Sequence, residues 1–95
     1  MNTNTTIRPL STIASESIMD MEKIAKGKGK YWRNAFPYLA PYADAMLSLN
    51  SVKDNYYMES GREIVCRFLA NAATWRGEVA KRVKAELRNM VGLKY

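Results

Sequence analysis

Apolar residues recur at three- and four-residue intervals from Leu10 to Ala25, and this spacing constrains the fold of the chain more than any other feature. Leu10, Ile13, Ala14, Ser17, Ile18, Met21, Ile24 and Ala25 fall on one face of an α-helix. Pro9 suits the first turn, where its missing N–H costs nothing, and Gly27 is expected to end the helix in a left-handed cap. A helix with a single apolar face must bury it against other elements. A chain of 95 residues can support one such core.

The remainder of the chain supplies the partners. Lys26-Gly27-Lys28-Gly29-Lys30 reads as a flexible basic loop, followed directly by Tyr31-Trp32-Arg33. Pro37 and Pro41 keep a regular helix from running through residues 36–41, so this stretch is expected to be a connector with at most one helical turn. Tyr42, Ala45, Met46 and Leu49 then restore helical spacing for a short second helix. Val52 to Glu59 reads as either helix or loop, and β signals are confined to short stretches such as Val52 to Met58. Ser60-Gly61-Arg62-Glu63 matches a capping box, which should open a third helix burying Ile64, Val65, Phe68, Leu69 and Ala72. Thr74 is the expected N-cap of a last helix, with Trp75, Val79, Val83, Leu87 and Met90 inward and Gly92 as its stop. The expected fold is all-α: a flexible tail over residues 1–8, then a single domain of three to four helices over 9–95.

Several function classes fall away on composition. The chain has no histidine, the commonest general base and metal ligand, and its one cysteine cannot form an internal disulfide. Cys66 lies in the apolar run Ile64 to Leu69 and reads as a small buried hydrophobe. No apolar run is long enough for a membrane span, and Met1 to Thr6 lacks the basic and apolar regions of a signal peptide, so a cytoplasmic location is expected. Asp20 with Glu16 or Glu22 could pair carboxylates for acid–base work, but a solvated helix face explains them as well. Gly27 and Gly29 follow a helix, not the strand that a nucleotide-binding glycine loop requires. Neither an enzyme nor a cofactor site is expected.

What remains is charge and aromatic surface. Fifteen Lys and Arg against nine Asp and Glu give a net charge of +6, which favours acidic partners. Two segments concentrate it. One is Lys26, Lys28, Lys30, Tyr31, Trp32 and Arg33, where aromatics sit beside cations and Trp32 serves equally as contact or core residue. The other is Lys81, Lys84 and Arg88, spaced i, i+3 and i+7 along one line of the last helix. Pairing of Arg82 with Glu78 and Glu86 beside that line would leave it as the site of the positive field.

The segments Phe68-Leu69-Ala70-Asn71-Ala72, Thr74-Trp75-Arg76-Gly77-Glu78 and Lys84-Ala85-Glu86-Leu87, with Pro41-Tyr42 and Ala45-Met46, resemble small helical proteins of phages and mobile elements. The resemblance covers the last half of the chain and contains no catalytic motif. It implies a stoichiometric inhibitor of the anti-CRISPR or wider anti-defence kind, although this chain is basic where many such inhibitors imitate DNA with acidic surfaces. The leading expectation is therefore a non-enzymatic binding protein for a host protein or nucleoprotein complex. Direct nucleic-acid binding by a small regulator and self-association into a homo-oligomer are the rival classes.

Overall fold

The first N–H groups of a helix need acceptors, and Pro9, at the cap position of helix α1 (Leu10–Gly27), has no side-chain oxygen to offer. The acceptors come from elsewhere in the chain. In the computed structural model, which describes residues 7–92, Leu10 N–H donates to Asn50 C=O at 3.0 Å and Ser11 N–H to Leu49 C=O at 2.8 Å. The far end of α1 also differs from expectation. Gly27 is its last helical residue, and the left-handed conformation falls on Gly29, at φ 69°.

After α1 come a single turn, α2 (Trp32–Ala35), and a short helix, α3 (Ala40–Met46), with Pro41 in its first turn. This helix stops before Leu49, which is nonetheless buried. Residues 52–59, ambiguous in sequence, form a turn and then a minimal antiparallel hairpin, β1 (Asn55–Tyr56) with β2 (Glu59–Ser60). The capping box at Ser60 is formed as expected and opens α4 (Gly61–Ala70), with Glu63 N–H donating to Ser60 Oγ and Ser60 N–H to the Glu63 carboxylate. A 3₁₀ turn (Ala72–Thr74) leads to α5 (Glu78–Val91).

Thr74 does not cap the last helix. Gly77 does, at φ 116°, and Trp75 lies in the connection that precedes it. The inward face of α5 is accordingly Ala80, Val83, Leu87 and Val91, with Val79 and Met90 at its margins. Trp75 is fully buried all the same. Its ring meets Phe68 edge to face at 5.9 Å, and its indole N–H donates to Asp20 at 2.8 Å, which satisfies the one polar atom the ring carries inside.

The protein is thus a small, predominantly α-helical domain. The helices α1, α3, α4 and α5 close a ring, with α1 against α3 and α5, and α4 against the same two; α2 packs on α1. Small residues on the inner face of α1, among them Ala14, Ser17 and Ala25, are wholly buried, and the Ser17 hydroxyl is satisfied within the helix by Ile13 C=O at 2.7 Å. Cys66 and Leu69, expected inside, are only half-buried at the edge of α4. Residues 1–6 of the expected tail and residues 93–95 lie outside those described. Arg8, also assigned to the tail from sequence, is held by Glu86 and Glu16.

The turn at 49–54 joins α1 to α4. Asp54 accepts from the N–H groups of Asn50 and Ser51, while Gly61 N–H donates to Asp54 C=O and Arg62 N–H to Val52 C=O. Gly61 passes so close that a Cβ there would lie 2.7 Å from Ser51 C=O and 3.0 Å from Val52 Cα. Both are backbone atoms and cannot rotate away. Gly61→Ala is expected to lower stability by about 1–3 kcal/mol, the usual range for overpacking, measured as a shift in the urea midpoint with an unchanged slope.

Candidate anion-binding groove

Among the described residues the ion pairs are made by arginine, and each joins different segments of the fold instead of running along one helix. Arg82, expected to pair with Glu78 and Glu86 on its own helix, reaches Glu16 of α1. Glu86 instead receives both arms of Arg8, at 2.9 and 2.6 Å, and Arg8 also contacts Glu16 at 2.9 Å. The resulting chain Arg82–Glu16–Arg8–Glu86 clamps α1 to α5. Glu16 and Asp20, read from sequence as a solvated face, are therefore structural acceptors.

Most of the other acids are committed in the same way. Asp44 pairs with Arg33, Glu59 with Arg67, Asp54 binds backbone N–H groups and Glu63 completes the capping box. Among the described residues only Glu22 and Glu78 are not engaged in such contacts. No lysine forms an ion pair among them, so the uncompensated positive charge is carried largely by lysine.

The two basic segments are treated differently by the fold. Lys26, expected in the loop, lies in the last turn of α1, and Lys28 and Lys30 follow it; all three are exposed, with Tyr31 exposed beside them. Trp32 is not part of that surface. It is 4% exposed and belongs to the core, because α2 turns its ring inward against α1. The Arg33 guanidinium covers the ring at 4.6 Å from its centroid and is neutralised by Asp44, one arm at 3.0 Å. As a contact surface this segment reduces to three lysines and Tyr31.

Lys81, Lys84 and Arg88 are brought together, and Arg76, which the sequence reading did not single out, joins them. All four line an open groove of about 590 Å³ at the start of α5, with Trp75, Gly77, Glu78 and Ala80. Arg76 enters because the chain turns at Gly77, a conformation available to glycine at little cost, and so folds the preceding residue back beside α5. A cation immediately before a helix-initiating glycine was the only sequence signal for it. Lys81 is exposed at the rim, while Lys84 and Arg88 are half-buried. Lys84 donates from its ammonium to Trp75 C=O. Burial, and then the charges of Arg88 and Arg76, hold its pKa below the ordinary lysine value.

A second groove, of about 610 Å³, runs between α1 and the start of α5, but it is shallow and lined by Ser11, Thr12, Ser15 and Met19 beside the acids Glu16 and Asp20. No group of three His, Cys, Asp or Glu side chains among the described residues is placed to hold a metal ion. No helix among them is long and apolar enough to cross a membrane.

Two outcomes follow from this geometry. Trp32→Ala should cost about 3–5 kcal/mol of folding stability, the loss expected for a core aromatic, visible by thermal denaturation of the isolated protein with no partner present. The Glu16 carboxyl is held below its ordinary pKa by its hydrogen bond to Arg82 and then by Arg8. Its contribution to stability is present above the unfolded-state value and is lost as pH falls through the folded one. Glu16→Gln should therefore lower the Tm at pH 7 and leave a smaller further decline on acidification than the parent shows. The chain matches no protein-family model, no curated protein and no solved structure.

Proposed function

We propose that this is a non-enzymatic binding protein that engages the nucleic acid of a larger nucleoprotein complex, in the cytoplasm, by stoichiometric contact through its cationic groove. The observation that carries this reading is the division of charge. Acids are spent on helix clamps, caps and turns, while Arg76, Lys81, Lys84 and Arg88 converge on one face with Glu78 as the single acid among them. Such a concentration of one sign attracts polyanions and raises their rate of encounter. The exposed lysines at 26, 28 and 30 add positive charge at the end of α1. An inhibitor of the anti-defence kind, as the resemblance to phage and mobile-element proteins implies, would use this face to hold the nucleic acid of the complex and withhold it from its other partners.

A separate observation favours a protein contact as the second reading. The hairpin between β1 and β2 presents Tyr57, 88% exposed, and Met58, 98% exposed, at its tip. Tyr57 also holds φ 57°, a left-handed conformation that is costly for a residue with a Cβ. Strain of this kind with large apolar side chains fully in solvent is characteristic of surfaces that become buried in a complex.

The two readings separate in a salt series with short duplex and single-stranded oligonucleotides. Binding should weaken steeply as salt rises, and Lys81, Lys84 and Arg88 changed together to Ala should reduce the slope by up to about three counterions. An unchanged slope would remove the groove from the interface. Absence of binding even at low salt would leave Tyr57 and Met58 as the leading contact.

A further inference from the structure

Four cations from two elements share one groove, and the charges of Arg88 and Arg76 both act on Lys84. Arg76 comes from the connection before α5, and Lys81, Lys84 and Arg88 come from the helix itself. Keeping like charges together has a repulsive cost in the free protein, which a bound anion would remove.

We propose that the groove is a discrete seat for a phosphodiester segment of a nucleic-acid strand, with Lys84 at its centre and Arg76, Lys81 and Arg88 around it. The proposal rests on the polyanion reading above and narrows it from a diffuse positive surface to one place. Lys84 is suited to the central role. Its ammonium meets a neutral acceptor, Trp75 C=O, and has further N–H donors for a phosphate oxygen. Its half-buried position means that a contact made there is less screened than one on the open lysine loop. The lowered Lys84 pKa agrees with this, since an anion in the groove would offset the burial and the like charges that cause it.

Size and spacing agree as well. A volume of about 590 Å³ is that of a ligand pocket, far larger than one free phosphate needs and adequate for a phosphate with its flanking sugars. From Lys81 to Arg88 is seven residues, about 10 Å of helix rise, which matches the axial rise of roughly three nucleotides in a strand. Arg76 anchors its Nε on Ala73 C=O at 3.3 Å, which orients the guanidinium, a fork suited to paired phosphate oxygens.

The test is an NMR titration of the isotope-labelled full chain at low salt. The probes are inorganic phosphate, a short oligonucleotide and a poly-glutamate of equal charge. The expected result is that phosphate and oligonucleotide both shift amides from 75 to 88, that the oligonucleotide binds more tightly than poly-glutamate, and that Lys84→Gln weakens it roughly tenfold. Lys81→Gln, a change at the exposed rim that leaves the Trp75 contact in place, should weaken it in the same direction even if Lys84→Gln fails to fold. Lys28→Gln with Lys30→Gln should leave the groove shifts intact. Oligonucleotide binding whose shifts fall elsewhere, with both groove variants unaffected, overturns the seat while leaving the polyanion reading in place. Phosphate shifts without any oligonucleotide binding overturn the nucleic-acid assignment, as does poly-glutamate binding of equal strength. No response to any probe overturns both.

Discussion

The close approach of Gly61 to the 49–54 turn is the contact on which the rest of the structure depends. One short stretch of backbone accepts the first N–H groups of α1 through Leu49 and Asn50 and those at the start of α4 through Val52 and Asp54. Two helices distant in sequence are thereby begun from the same place, and the backbone hydrogen bonds of this turn fix where their first turns sit relative to each other. The Asp54 carboxylate, bound to Asn50 and Ser51 N–H, holds the turn in shape. Once α1 and α4 are placed, α3 and α5 fill the two gaps between them and complete the ring.

The second organising feature is the choice of partner for each acid. Glu16 and Glu86 lie on different helices and share Arg8 between them, while Arg82 adds a second contact to Glu16. Arginine makes these links because its planar fork can engage two carboxylates or two oxygens of one. Lysine is left for the surface. The consequence is functional as much as structural: Glu16 and Glu86 are held at the α1–α5 seam, and Glu78 is the one acid among the residues that line the groove on another side of α5. Trp75 connects the two, since its indole binds Asp20 of α1 and its carbonyl receives Lys84 of the groove.

Much of this was legible from single segments. The apolar stripe of α1, the capping box at Ser60, the Gly92 stop and the Lys81–Lys84–Arg88 line are local patterns, and each lies where its spacing placed it. Trp32 was not decidable in the same way. Its neighbours Lys30, Tyr31 and Arg33 are exposed, yet a single helical turn is enough to carry the ring into the core. Trp75 misled in the opposite sense: its four-residue step to Val79 imitated helical periodicity, and Gly77 between them ended that continuity. Arg82 likewise had an acid four residues away on either side and bound neither.

The sequence by itself determined that the chain is helical, where α1 and α4 begin and where α5 ends, that it holds one core, and that it carries excess positive charge without histidine chemistry. These are properties of neighbours within a turn or two, where periodicity, caps and composition act. Only the tertiary structure decided which carboxylate each arginine meets, that Arg76 joins the basic line of α5, and that residues 49–54 start two helices at once. Those outcomes depend on contacts between residues tens of positions apart, and their geometry exists only after the helices have packed.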